Sequence, residues 1–230
     1  MRQFHRATRD ALNQIMLITR LTGGISVGIG YYKDYCSKTC VFDCISPTEN
    51  LRRVADFLKA IRLGPGIDWA EASKTGFARS LLHFNSDTLV IHCTDAPPHD
   101  HYRGFAAEGM FTRTSHGSLR WPCLTLKGPY NAELAKLGED LFDWEYLCDR
   151  VRKSRARVFT LCNAHIKNFP GNDPYDIAHS YYTYLGEKTN GACVPIDSTT
   201  SEYILSAMMT VIFSTISERD SPKKIVRVCS

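Results

Sequence analysis

No stretch of this 230-residue chain approaches 18 consecutive apolar residues, so a membrane-spanning helix is not expected. The opening run Met1-Arg2-Gln3-Phe4-His5-Arg6 is polar and leads into a helical pattern, which argues against a secretory leader and for a cytoplasmic setting. Neither sign of charge is in large excess. Lys and Arg number 28 against 24 Asp and Glu, a net +4 that is too mild to call for a polyanion, so neither nucleic acid nor a membrane is expected as a partner. There is no internal repeat and no low-complexity tract. Two enzyme signatures are also missing. No G-x-S-x-G elbow occurs, and Gly28-Ile29-Gly30 lies inside a strand pattern without the third glycine of a dinucleotide fingerprint.

What is present suits a self-sufficient globular unit. Apolar residues make up 43% of the chain and mean hydropathy is −0.24, which excludes a disordered polymer. A single domain of this length removes roughly 70% of its unfolded surface from water and needs no disulfide or metal to hold it. The nine cysteines are odd in number and scattered from Cys36 to Cys229, so reduced thiols are expected. Cys36, Cys40 and Cys44 are evenly spaced, but a radical-SAM cluster needs its third cysteine at the place held by Asp43, and Cys44 sits in a strand-like run. These thiols read as small buried apolar residues.

Helical and strand periodicities alternate along the chain. Phe4, Ala7, Ala11, Ile15 and Ile18 share one helical face, which Gly23-Gly24 ends. Ile25 to Tyr32 and Val41 to Ile45 read as strands. Pro47-Thr48-Glu49-Asn50 opens a helix with Leu51, Val54, Leu58 and Ile61 on one face. After the break at Gly64-Pro65-Gly66, Trp69 to Phe84 reads as a helix, and Thr88 to Thr94 is the strongest strand. An irregular insertion covers about residues 97–130. Helices are expected at Asn131 to Leu137, Trp144 to Lys153, Asp173 to Glu187 and Ser201 to Ile216, with strands at Arg157 to Leu161 and Ala192 to Ile196. Short apolar strands between amphipathic helices predict a mostly parallel sheet covered on both faces. Lys223 to Cys229 alternates like an edge strand or the start of a lost continuation.

Ligands of open parallel sheets bind beyond the carboxyl ends of the strands. Three carboxylates fall in such loops: Asp34 after the first strand, Asp68 in the Gly-rich turn, and Asp95 at the end of the strongest strand. Converging carboxylates suit a hard cation such as Mg²⁺. Asp68 and Asp95 could equally cap the turns that follow them. His99-Asp100-His101 beside Asp95 admits a metal-assisted hydrolase using Asp95, His99 and His101. The basic run from Arg150 to Arg157 reads as a solvated helix end, and Tyr181, Tyr182 and Tyr184 as a helix packing face with polar tips.

The order of Tyr31-Tyr32-Lys33-Asp34-Tyr35, then Gly64-Pro65-Gly66-Ile67-Asp68-Trp69-Ala70-Glu71-Ala72, then Thr94-Asp95-Ala96-Pro97-Pro98-His99 resembles the von Willebrand factor A (vWA) domain family. Gly186 to Pro195 is similar to that family's stretch before its last strand, and the resemblance spans about residues 1–217. It implies a three-layer Rossmann-like α/β domain over residues 1–220, followed by a tail at 221–230. It also implies a metal-ion-dependent adhesion site in which Asp68 and Asp95 take the second- and third-loop positions. The family's first strand and D-x-[ST]-x-S motif are absent, and Met1 fits the position just past them, as in a chain shortened from a larger protein. The missing strand would be central, between those at Ile25 and Leu89, and the tail strand Ile225 to Val228 is a candidate to fill its place. Mg²⁺ binding is accordingly expected to be weak or lost. The implied function is non-catalytic protein binding through the Asp68–Asp95 edge and the insertion loop.

Overall fold

The computed structural model describes residues 2–22, 24–33, 41–62, 71–98, 144–163, 174–217 and 224–229. Helix α1 (Arg2–Thr22) precedes strands β1 (Ser26–Tyr32) and β2 (Phe42–Thr48), and then come α2 (Leu51–Ala60) and α3 (Ser73–Ser80). A 3₁₀ turn (Leu81–His83) leads into β3 (Thr88–Thr94). The chain continues with α4 (Trp144–Lys153), β4 (Arg157–Cys162), α5 (Pro174–Lys188), β5 (Ala192–Pro195), α6 (Ser201–Ser217) and β6 (Lys224–Cys229). The strands form one sheet in the order β2-β1-β6-β3-β4-β5. All neighbours run parallel except β2, which pairs antiparallel with β1 at one edge. This is a mixed α/β fold with a predominantly parallel sheet.

Residue alternation along the strands separates two apolar layers. On β3, Leu89, Ile91 and Cys93 join Phe4, Ala7, Ala11 and Ile15 of α1 and Ile204, Met208 and Val211 of α6. Val90 faces the other way, into a core with Phe77 of α3, Trp144 and Leu147 of α4 and Tyr182 and Leu185 of α5. Val27 and Ile29 of β1 close a third cluster with Leu12 and Met16 of α1 and Val54 and Leu58 of α2. Each fully buried aliphatic side chain contributes about 1.5–3 kcal/mol. Because β3 is covered on both faces, every one of its residues is buried, which explains its near-continuous apolar run.

Three local expectations are corrected. Helix α2 starts at Leu51, not Pro47. Asn50 caps it, its side chain accepting from Arg53 N at 3.2 Å, while Pro47 lies in β2. An edge strand tolerates a residue without an N–H, and a register shift between Val27 and Ile29 accompanies it. An added Cβ at Gly28 would stand 3.0 Å from Pro47 N, and one at Gly30 would stand 3.1 Å from the Phe42 ring. The Gly28–Gly30 pair is thus a packing device. Helix α3 begins only at Ser73, because Glu71 bridges to Pro98 and Ala72 N donates to the Lys33 carbonyl at 3.3 Å. The third correction concerns the edge reading of β6; the other expectation, that Ile225 to Val228 fills the central place between β1 and β3, is the one the sheet order bears out. The strand sits inside the sheet with Val226 aligned to Gly28 of β1 and to Val90 of β3. The expected helix at Asn131 to Leu137 and the body of the insertion lie outside the described residues.

Candidate functional site at the carboxyl ends of the strands

Strands β1, β3 and β4 are parallel members of one sheet, so their carboxyl ends share one rim. Asp95 stands on it, 8% exposed, in the turn that follows β3. That turn is held from several sides. Thr94 Oγ1 donates to the Ala96 carbonyl at 2.9 Å and accepts from Ala96 N at 3.2 Å. The Tyr182 hydroxyl donates to the same carbonyl at 2.8 Å. Glu71 N donates to the Pro97 carbonyl at 3.0 Å, joining the segment that follows the Gly-rich turn to the segment that follows Asp95. Two of the motifs picked out in the sequence therefore meet through their flanks.

Beneath the rim lies a buried polar network. His92, at the middle of β3, has no exposed surface, and its Nε2 is 2.6 Å from the Tyr32 hydroxyl of β1. Its Nδ1 is 3.2 Å from Thr160 Oγ1 of β4. Ser73 Oγ, at the first turn of α3, lies 3.1 Å from the Tyr32 hydroxyl and 2.9 Å from that of Tyr182 on α5. The rings of Phe77 and Tyr182 meet the imidazole edge-on at 5.0 and 4.8 Å. One continuous chain of polar groups thus ties three strands and two helices to the Ala96 carbonyl. Buried polar groups of this kind persist only when paired, and a saturated network fixes one arrangement of the elements it joins.

The electrostatics favour neutral groups. Burial, reinforced by the neighbouring Tyr32, pushes the Tyr182 phenol well above its ordinary pKa, so it remains a hydrogen-bond donor at neutral pH. The Cys162 thiol at the end of β4 is also raised, first by its hydrogen bond with Cys193 and then by burial. A protonated, buried thiol is a poor nucleophile.

Of the residues that the sequence suggested, Asp95 is on the rim, while Asp34, Asp68, His99 and His101 lie outside the described residues, as do Cys36 and Cys40. Cys44 is half-buried in β2. Among the described residues no group of three or more His, Cys, Asp and Glu side chains is arranged to hold a metal ion. Two hydroxyls on the described segments beside this turn are engaged within the protein. Thr94 Oγ1 is spent on Ala96, and Ser73 Oγ points into the tyrosine pair. Sequence reasoning missed the network itself. Its signal was His92 and three threonines, Thr88, Thr94 and Thr160, on the Val90 face of an otherwise apolar β3–β4 pair, where burial demands partners.

No family model matches the chain. It is similar to an ariadne-like RING finger protein of Acanthamoeba polyphaga mimivirus, with 26% identity over 214 residues. The match takes in 92% of this chain but only 18% of the viral protein, so the chain spans less than a fifth of that relative's length. Among the described residues no helix is long and apolar enough to cross a membrane.

Proposed function

We propose that the chain is a vWA-like protein-binding module with an incomplete metal-ion-dependent adhesion site, working in the cytoplasm. The observation that carries this reading is the junction of Glu71 with Pro97 and Pro98, and of Ala72 with Lys33, beside Asp95 at the carboxyl end of a parallel sheet. Asp68 precedes Glu71 by three residues, and three residues reach at most about 11 Å. That reach is enough for its carboxylate to share the rim with Asp95. The strand order supports the same reading, since β6 stands between β1 and β3, where the vWA resemblance calls for a central strand. Helices on both faces of the sheet suit its three-layer form.

A divalent cation such as Mg²⁺ would be held by Asp68 and Asp95 and would supply a positive charge for a partner's carboxylate. With the neighbouring hydroxyls engaged inward, two carboxylates leave such an ion mostly to water, and binding is weak or absent. Partner contacts then come from polar rim groups and the backbone of the Asp95 turn. The free thiols Cys93, Cys148 and Cys162, all buried, suit a reducing compartment. The name of the viral relative, a RING finger protein, accords with a role among protein partners.

Selection of peptides from a random library on the purified chain tests this reading. Enriched peptides should lose at least tenfold in affinity for Asp95→Lys. Peptides that bind both forms equally, or zinc-dependent hydrolytic turnover by the purified chain, would overturn it.

A further inference from the structure

The opposite end of the sheet, where β4 begins, carries the chain's strongest concentration of charge. Residues 149–157 hold five cations and one carboxylate, an excess as large as the +4 of the whole chain. Two of the five are occupied. Arg152 pairs with Asp149 at 3.1 Å, and Arg157 donates to the Asn190 carbonyl at 2.9 Å while its guanidinium covers the Phe159 ring. Arg150, Lys153 and Arg155 are exposed and have no side-chain partner among the described residues.

Helix-end electrostatics accounts for Arg150 and Lys153, since cations are favoured in a last turn. It does not account for Arg155. That residue has φ of +62°, a left-handed position just past the helix, where glycine fits freely and a Cβ is crowded. The parallel turn between α5 and β5 solves the same problem with Asn190, a residue that tolerates this region. The turn that carries this arginine is also braced. Arg155 N donates to the Arg152 carbonyl at 3.0 Å, and Ser154 Oγ both donates to the Val151 carbonyl at 2.5 Å and accepts from Ala156 N at 3.3 Å. Strain that persists in a well-braced turn points to use of the side chain.

We infer that Arg150, Lys153 and Arg155 form a docking surface for an acidic segment of a partner protein. Arg150 and Lys153 are one helical turn apart, and Arg155 follows at the turn, so the three cations match a few closely spaced carboxylates. A nucleic acid would require a longer basic track and exposed rings for its bases. Here the run is a single turn, and Phe159 lies under Arg157. The surface is independent of the Asp95 rim, which stands at the other end of the parallel strands.

The test is fluorescence anisotropy with a labelled hexaglutamate peptide at low salt. Replacing Arg150, Lys153 and Arg155 together by Ala should weaken binding at least tenfold. Replacing Arg6, Arg9 and Arg52 by Ala, an equal loss of charge at exposed sites elsewhere, should change it less than twofold. Arg155→Gly alone should raise the melting temperature while lowering affinity for the peptide. Equal weakening by the two triple variants, a lowered melting temperature for Arg155→Gly, or tighter binding of an RNA hexamer than of hexaglutamate would each overturn the proposal.

Discussion

Replacing Tyr182 by Phe removes one oxygen atom from the interior and leaves the ring packing on Trp144 and His92 in place. Two hydrogen bonds go with it, to the Ala96 carbonyl and to Ser73. Neither partner is stranded. Ala96 O still accepts from Thr94, and Ser73 still reaches Tyr32. With each bond worth about 0.5–1.5 kcal/mol net, the expected loss is about 1–3 kcal/mol. For a chain of this size each kcal/mol lowers the melting temperature by about 2–4 °C. The phenol adds a second, pH-dependent signature. Its pKa is raised in the folded state, so at alkaline pH the unfolded chain releases this proton first and stability falls as pH rises. The contribution is complete below about pH 10, the ordinary tyrosine value, and is lost as pH climbs through the raised folded value. Urea denaturation of both proteins between pH 7 and pH 11 reads the two effects together. Tyr182→Phe should be less stable at pH 7 and should show a shallower alkaline decline. Unchanged stability at pH 7 with the same alkaline slope would refute the saturated network.

Three further outcomes follow from the packing. Gly191→Ala places a Cβ onto the Val158 carbonyl oxygen and should cost about 3 kcal/mol, seen as a reduced midpoint in urea. Asn50→Ala removes the cap of α2 and should cost about 1 kcal/mol by the same measurement. Val226→Pro deletes a donor in a strand paired on both sides and should cost about 3 kcal/mol or more, seen as loss of a cooperative thermal transition.

Most elements were legible because their periodicity reports burial directly. The α1 stripe of Phe4, Ala7, Ala11 and Ile15 and the apolar run of β3 are the same facts seen in sequence and in structure. The misplaced starts of α2 and α3 have tertiary causes. Pro47 is accommodated by Gly28 on a neighbouring strand, and Glu71 is drawn out of helix by Pro97 and Pro98. The place of β6 was only half legible. Its alternation announced a strand without distinguishing an edge from the interior, and only the vWA resemblance, with its vacant central place, offered the interval between β1 and β3. The His92 network was hidden for a related reason, since its members are 41 to 109 residues apart along the chain. Asp95 and its turn were marked in advance by the T-D-A-P-P-H motif, and Tyr182 as a packing residue with a polar tip, but not their connection through Ala96.

The proposed function rests on Asp68 reaching the rim on which Asp95 stands. Paramagnetic broadening of backbone amide resonances by Mn²⁺ probes this directly. Broadening should centre on Thr94, Asp95, Ala96 and Glu71, require millimolar Mn²⁺, and disappear in Asp68→Asn. Saturation at micromolar Mn²⁺, or broadening centred elsewhere and indifferent to Asp68→Asn, would contradict it.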